Sequence, residues 1–313
     1  MLAVDVVDSV DRVDSVIIGV NIGGTTCSVS RADDNGRLES TIAFPTGPVS
    51  STLAAIRAAV ASLASGPAPR FGIACGGPLD SARGVILSPP NLPGWDRIPI
   101  VAWLTERFGG RGHLMNDANA GALAEWQFGA GQGTQSMVFL THGTGLGAGL
   151  IIAGRLYEGA TGDAGEIGHV RLAPVGPCGY GKDGSSEGFC SGGGIARLAA
   201  GRIPGHPSPD AKDVARLAAE GVPEALAIMR ESGRWLGRTL AIIIDLLNPE
   251  MIVLGSIYTR SGRWLDAAMR DELAREALPG PLAACRIVPS TLGERLGAQA
   301  AVAVALHALP KPN

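Results

Sequence analysis

One stretch, His113-Leu114-Met115-Asn116-Asp117-Ala118-Asn119, sets a single carboxylate between an apolar strand (His113 to Met115) and a small-residue helix (Ala118 to Gln127). A carboxylate fixed at a strand end, with Asn on either side to orient a polyol, has the form of a positioned general base. Asn and Asp are also favoured helix caps, so Asn116 or Asp117 has a purely structural alternative. Further along, Gly165-Glu166-Ile167-Gly168-His169 places a carboxylate and an imidazole three residues apart. On a helix they share a face, and on a loop both can still reach one site. The pair suits a metal or, equally, sugar hydroxyls, which accept and donate hydrogen bonds at fixed angles. Glu187, in Gly184-Ser185-Ser186-Glu187-Gly188, falls where a loop meets a helix start; a helix-start acid favoured by the dipole is its plain alternative.

Two hairpins must hold whatever these groups act on. Val16 to Val20 is a short apolar run, read as a buried strand; it enters Asn21-Ile22-Gly23-Gly24-Thr25-Thr26, then a second strand, Cys27 to Arg31, and a Gly36-Arg37-Leu38 turn. Ser136 to Thr141 repeats the plan. It enters His142-Gly143-Thr144-Gly145-Leu146-Gly147, then Ala148 to Ile152, then Gly154-Arg155-Leu156. This reads as an internal repeat, two related α/β lobes each opening with a Gly/Thr hairpin. Two such hairpins across a cleft can grip a chain of phosphates through backbone N–H groups; two ordinary Gly-containing hairpins are the alternative.

The remaining pattern is strand and helix in alternation. Thr41 to Phe44, Phe71 to Cys75 (ending in Gly76-Gly77-Pro78), Met251 to Leu254 and Ala284 to Pro289 read as strands. Helical spacing predicts Ser51 to Ala64, Ile100 to Phe108, Gly192 to Gly201, Pro209 to Glu220, Pro223 to Leu247, Ser261 to Ala277 and Gly297 to Ala308. Ser88 to Trp95, with three prolines and a glycine, cannot be regular. Gly255-Ser256, after a buried strand, offers exposed backbone for a nucleotide base. Two look-alikes fail in context: Gly176 to Asp183 nearly spells a P-loop, and Gly179 to Gly184 fits a dinucleotide pattern. Neither follows a clear strand and leads into a helix in the right place.

Composition narrows the class. The chain has 313 residues, 46% hydrophobic and 18% charged, with a net charge of -3. That length suits two domains with full cores, and the absence of a basic excess argues against nucleic acid. The five cysteines are scattered without a CxxC pair, which points to reduced thiols and a cytoplasmic protein. Residues 1 to 15, with Asp5, Asp8, Asp11 and Asp14, read as a loose leader rather than a signal peptide. No apolar run reaches membrane-spanning length, since Asp245 interrupts the run from 240 to 247.

In order along the chain, Gly23-Gly24-Thr25, Asn91 to Trp95 (NLPGW), Asn116 to Asn119 (NDAN), His142 to Gly149 (HGTGLGAG), Gly165 to His169 (GEIGH) and Gly184 to Ala196 resemble the motifs of ROK-family sugar kinases. Asn248 to Gly255 and Leu296 to Leu306 complete the match, over residues 16 to 308. The resemblance implies a two-lobed actin-like, ribonuclease-H-like α/β ATPase duplication with a central cleft. The lobes would be 16–117 plus 297–313, and 118–296, closing over the substrate. It also implies an ATP-dependent hexose kinase, with glucose at its 6-hydroxyl as the first expectation and Mg²⁺ accompanying ATP. On the matching positions Asp117 becomes the general base. Gly77, Asn91, Asn116, Glu166, His169 and Glu187 hold the sugar. Asn21, Gly23, Gly24, Thr25, Thr144 and Gly145 meet the ATP phosphates, with Gly255 near the adenine. A homodimer is the family expectation.

Two departures from the family pattern stand out. Asn21 occupies the position of a family Asp, which keeps an acceptor oxygen but loses a charge at the Mg²⁺ end. The structural zinc motif is reduced to His169 and Cys178, too few for a closed tetrahedral site, so no structural zinc is expected and Cys190 should simply be packed. Asn21 supports one alternative, a catalytically weak or inactive sugar-binding protein, either pseudokinase or sugar sensor. A sugar-responsive repressor, also found in the family, needs a helix-turn-helix domain before the first hairpin, for which a 15-residue stretch carrying four Asp is too short and of the wrong charge.

Overall fold

The computed structural model describes residues 16–66 and 68–308, so the expected leader over residues 1–15 lies outside the described residues. Two five-stranded sheets form its frame. The first contains β1 (Ile17–Ile22), β2 (Thr26–Ala32), β3 (Leu38–Pro45), β4 (Arg70–Cys75) and β5 (Arg111–Asn116), in the order β3-β2-β1-β4-β5. The second contains β6 (Met137–Leu140), β7 (Ala148–Ile152), β8 (Arg155–Tyr157), β9 (Met251–Leu254) and β10 (Arg286–Pro289), in the order β8-β7-β6-β9-β10. In both, a three-stranded antiparallel meander is extended by two parallel strands. The repeat seen in the hairpins therefore extends to whole sheets.

Side-chain alternation in β1 shows why the sheets sit as they do. Ile18, Val20 and Ile22 turn to one face and pack with Ile56 and Val60 of α1 (Val49–Leu63) and with Leu104 of α2 (Ile100–Phe108). Ile17, Gly19 and Asn21 turn to the other face, toward α10 (Leu296–His307). There Ile17 packs on Val302 and Ala305. Only glycines allow that approach: a Cβ on Gly72 would lie 2.0 Å from the Ala301 carbonyl oxygen, and one on Gly19 2.9 Å from the Val302 nitrogen. The last described helix thus covers the first strand.

Beside α10 lies α3 (Asp117–Phe128), whose alanines pack with Met137 and Phe139 of β6 and with Met251 and Val253 of β9. These two small-residue helices fill the space between the sheets. The outer face of the second sheet is covered by α7 (Pro223–Leu247) and α8 (Ser256–Glu276), and an insert between β8 and β9 adds α4 (Ser186–Cys190), α5 (Gly192–Ala199) and α6 (Ala211–Ala219). The parallel strands direct their carboxyl ends toward the crevice, the usual ligand side of α/β sheets.

Three elements differ from expectation. Helix α8 starts at Ser256 rather than Ser261, because β-branched Ile257 and Thr259 weaken the local helical signal while Ile257 N donates to the His142 carbonyl. A short helix, α9 (Pro279–Ala284), precedes β10, which starts at Arg286 rather than Ala284; six residues opened by proline carry no periodicity to detect. Strand β3 runs from Leu38 rather than Thr41. As an edge strand with mostly exposed residues it shows no apolar alternation.

Candidate functional site

Asn116 ends β5, and its side chain accepts from the Asn119 N–H at 2.7 Å, so Asn116 is the cap of α3 and Asp117 its first helical residue. The capping alternative therefore falls to Asn116, while the Asp117 carboxylate accepts from the backbone N–H groups of Ala118 and of Asp117 itself. Asp117 keeps exposed surface, yet desolvation by the surrounding protein raises its carboxyl above the ordinary aspartate range. Asn119 is buried, 1% exposed, and its Oδ1 has no protein hydrogen-bond partner. It does not flank a polyol as its spacing suggested, because α3 is buried continuously from Ala118 to Glu125. Cys75 lies in register opposite Asn116. Its thiol is pushed far up by burial and by the Asp117 charge, so it stays protonated and is no nucleophile.

Glu166 precedes and His169 ends a short 3₁₀ turn, Ile167–His169, and both are exposed. Two glycines press that turn against the second sheet. A Cβ on Gly165, whose φ is +100, would be 1.9 Å from the Ala148 oxygen, and one on Gly168 2.0 Å from the Leu146 oxygen. Burial raises the Glu166 carboxyl, as do the charges of Asp163, Glu187 and Asp117, while His169 opposes them. These couplings bring Asp117, Glu166, His169 and Glu187, distant in sequence, into one electrostatic neighbourhood.

Glu187, in the first turn of α4, is also tied to the hairpin: its Oε2 accepts from Leu146 N at 3.0 Å and lies 2.9 Å from a Cβ placed on Gly145. The expected role toward hydroxyls is thus shared with a structural one. His142, which sequence reasoning left unassigned, is fully buried at the base of the same hairpin. Its Nε2 meets the Cys190 carbonyl at 2.8 Å, its Nδ1 has no protein partner, and burial lowers its pKa to about 4. The amides of Gly192 and Gly193, at the start of α5, donate to the Gly143 and Thr144 carbonyls. A clue lay in the Ser191-Gly192-Gly193-Gly194 run, whose missing side chains permit this approach.

The first hairpin is simpler. Gly23 N donates to the Thr26 carbonyl, and Thr46 Oγ1 donates to the Gly23 carbonyl at 2.6 Å. Gly24 rests on the Asn91 backbone, where a Cβ would lie 2.8 Å from the Asn91 oxygen. Gly24, Thr25 and Asn91 are exposed, while Leu92 and Trp95 bury the rest of the NLPGW loop. Gly77 is exposed with open space around it, ahead of a cis peptide bond to Pro78. Asn21 faces the first turn of α10, where its Nδ2 would be 2.8 Å from a Cβ on Gly297.

Gly255 is buried, and its N–H donates to the Leu140 carbonyl at 2.9 Å. It seals β9 against β6 and offers no exposed backbone, which corrects the expectation for that position. The open space lies a turn further on, a cavity of about 310 Å³ lined by Ile195, Ala211, Lys212, Ile257, Arg260 and Trp264. Its apolar floor and cationic rim suit a flat heteroaromatic ring attached to an anion.

The residues present do not fit a structural zinc. Among the described residues no group of three or more His, Cys, Asp or Glu side chains is arranged to hold a metal ion. Cys190 is buried in the core with its thiol pushed up to about 12, the packed role expected of it. No described helix is long and apolar enough to cross a membrane.

Comparison with known proteins gives a consistent picture. A family model for the ROK family matches residues 17–308. The glucokinase of Thermotoga maritima is 32% identical over 305 residues, 92% of this chain and 96% of that protein. The N-acetylmannosamine kinase of Citrobacter koseri is 34% identical over 263 residues, 83% of this chain and 89% of that protein. Among solved structures, a ROK family glucokinase from Streptomyces griseus in complex with glucose and AMPPNP is 32% identical with a TM-score of 0.76, covering 93% of this chain and 98% of that one.

Proposed function

The chain belongs to the ROK family, and from that premise we propose that it is an ATP-dependent hexose kinase that phosphorylates glucose at the 6-hydroxyl. One observation carries the proposal beyond the family level: a single carboxylate, Asp117, held by backbone N–H groups and raised by desolvation, follows the carboxyl end of β5 and shares its electrostatic surroundings with Glu166. Phosphoryl transfer needs mainly in-line positioning, charge neutralisation and a group to take the hydroxyl proton. Asp117 takes that proton. Glu166, His169, Asn91, Asn116 and Glu187 orient the other hydroxyls, so that a wrong epimer leaves a buried group unpaired. Mg-ATP enters as the second substrate, its phosphates between the Gly23-Gly24-Thr25 and Thr144-Gly145 hairpins and its base in the cavity beside Ile257. We assign the protein to the cytoplasm, where its thiols stay reduced, and its working unit to a homodimer, which light scattering tests.

An ADP-release assay with Mg-ATP across glucose, mannose, fructose and N-acetylated hexosamines tests the activity and the sugar together. Asp117→Asn is expected to lower kcat by about a thousandfold while hexose binding, measured by calorimetry, stays within about threefold. The kcat/KM of the parent enzyme should fall on the acid side with an apparent pKa above the usual aspartate range, since only the carboxylate accepts a proton. Undiminished turnover in Asp117→Asn would remove the assigned base.

A further inference from the structure

The insert between β8 and β9 contains a two-stranded ribbon, Cys178–Gly179 paired with Lys182–Asp183, turned by Tyr180 and Gly181. Both turn residues have positive φ, +47 and +74, the two-residue geometry that favours Asn-Gly. A tyrosine in the left-handed region costs about 1 kcal/mol, so its surroundings must hold it there. What it touches is His169. The two rings meet edge to face, 6.1 Å between centroids at 79°, although Tyr180 itself is 63% exposed. Two residues later the Lys182 ammonium donates to the His169 carbonyl oxygen at 2.8 Å. One ribbon therefore confines the imidazole from the side and fastens the backbone that carries it.

The ribbon is itself anchored. Gly184 N donates to the Pro177 carbonyl, Leu172 N donates to the Gly184 carbonyl at 2.8 Å, and Ser185 Oγ donates to the Gly179 carbonyl. Gly188, in α4, leaves room for Pro177: a Cβ there would be 2.0 Å from the Pro177 oxygen. Through α4 the anchor continues to Glu187, and so to the second hairpin.

We infer that Lys182 and Tyr180 are positioning residues for His169, forming a hydrogen-bonded brace that does the work a bound metal would otherwise do. The inference rests on the hexose site proposed above. His169 touches the sugar, whereas Lys182 and Tyr180 act through it. The brace bears on hexose affinity and leaves the phosphate end alone.

The test compares Lys182→Met, Lys182→Arg and Tyr180→Asn with the parent chain. Glucose binding is measured by calorimetry without ATP, and the KM for ATP is measured separately. Lys182→Met is expected to weaken glucose binding about tenfold, the worth of one charge-assisted hydrogen bond, with the KM for ATP unchanged. Lys182→Arg should recover most of that loss. Tyr180→Asn should hold or raise the Tm, because the turn relaxes, while glucose binding falls about threefold. A proton resonance of the His169 ring, assigned through His169→Gln, should shift in Lys182→Met without any sugar. Absence of turnover with glucose still bound would end the kinase proposal and leave this one standing. An unmoved His169 resonance in Lys182→Met, or one equivalent of zinc in the purified chain, would overturn it.

Discussion

The two Gly/Thr hairpins occupy equivalent corners of equivalent sheets, yet they are held very differently. The first, Asn21 to Thr26, is supported by its neighbour Thr46 and by the backbone of Asn91, and its tip is exposed. The second, His142 to Gly147, is tied by Glu187 to Leu146, by His142 to Cys190, by Thr141 to Gly147, and by the α5 amides to Gly143 and Thr144. All but the Thr141 tie come from the insert between β8 and β9, which has no counterpart of that size in the first sheet. Duplication thus supplied the geometry, and a later-placed segment supplied the rigidity. The second hairpin is tied from several sides, while the first leaves its tip exposed.

Substitutions at the two hairpins test that contrast. Gly168→Ala drives a Cβ into the Leu146 carbonyl of the second hairpin and should cost upward of about 3 kcal/mol, together with most activity. Gly24→Ala, pressing on Asn91 in the first, should cost about 1 kcal/mol and raise the KM for ATP. Thermal denaturation and steady-state kinetics measure both, and equal losses would erase the distinction.

Acid should strike the second hairpin next. His142 is buried neutral with a pKa near 4, against an ordinary 6.5. Between those values the unfolded chain binds more protons than the folded one. Stability is therefore full above about pH 6.5 and declines toward pH 4, by on the order of 3 kcal/mol in total. Tm measured from pH 7 to 4.5 should fall less steeply in His142→Gln; parallel curves would clear His142 of responsibility.

Smaller effects should follow from single contacts. Glu187→Ala leaves the Leu146 N–H unpaired and should lower kcat/KM about ten- to thirtyfold, with KM rising for both substrates. If only the sugar KM moved, the hairpin contact would be inert. At the first hairpin, Asn21→Asp restores a negative charge facing the start of α10 and should tighten Mg-ATP about threefold. No gain would show that the amide already suffices.

Much of the frame was legible because its signals are local. Helix α7 was bounded by its proline start and unbroken periodicity, and β9 by a four-residue apolar run between polar neighbours. The two related α/β lobes were legible in two hairpins of matching composition, while their strand order came only with the structure. Site residues were legible as types, since Asp117, Glu166, His169 and Glu187 each stand in a short run of glycine, asparagine or serine beside a regular element. Their partners were not. Nothing in sequence spacing tells that Glu187 reaches Leu146 or that Lys182 reaches His169, because each depends on contact between separated segments, while Asn116 and Asp117 are both good caps and only the local geometry decides between them. Gly255 misled for the same reason: a glycine after a strand is equally consistent with an open ledge and with a tight seal.

The seat of α10 on β1 has a consequence for how the chain is assembled. As synthesis proceeds from the N-terminus, the second sheet has its strands and covering helices available by residue 289, with α3 already present to fill its inner face. The first sheet, although made first, waits for residues 296–307 before Gly19 and Gly72 are covered. Closing so long a loop adds little to the entropy cost but delays the event, since such non-local contacts form slowly. The first sheet is therefore the last to be finished, and until α10 arrives the face that carries Gly19 and Gly72 stands uncovered.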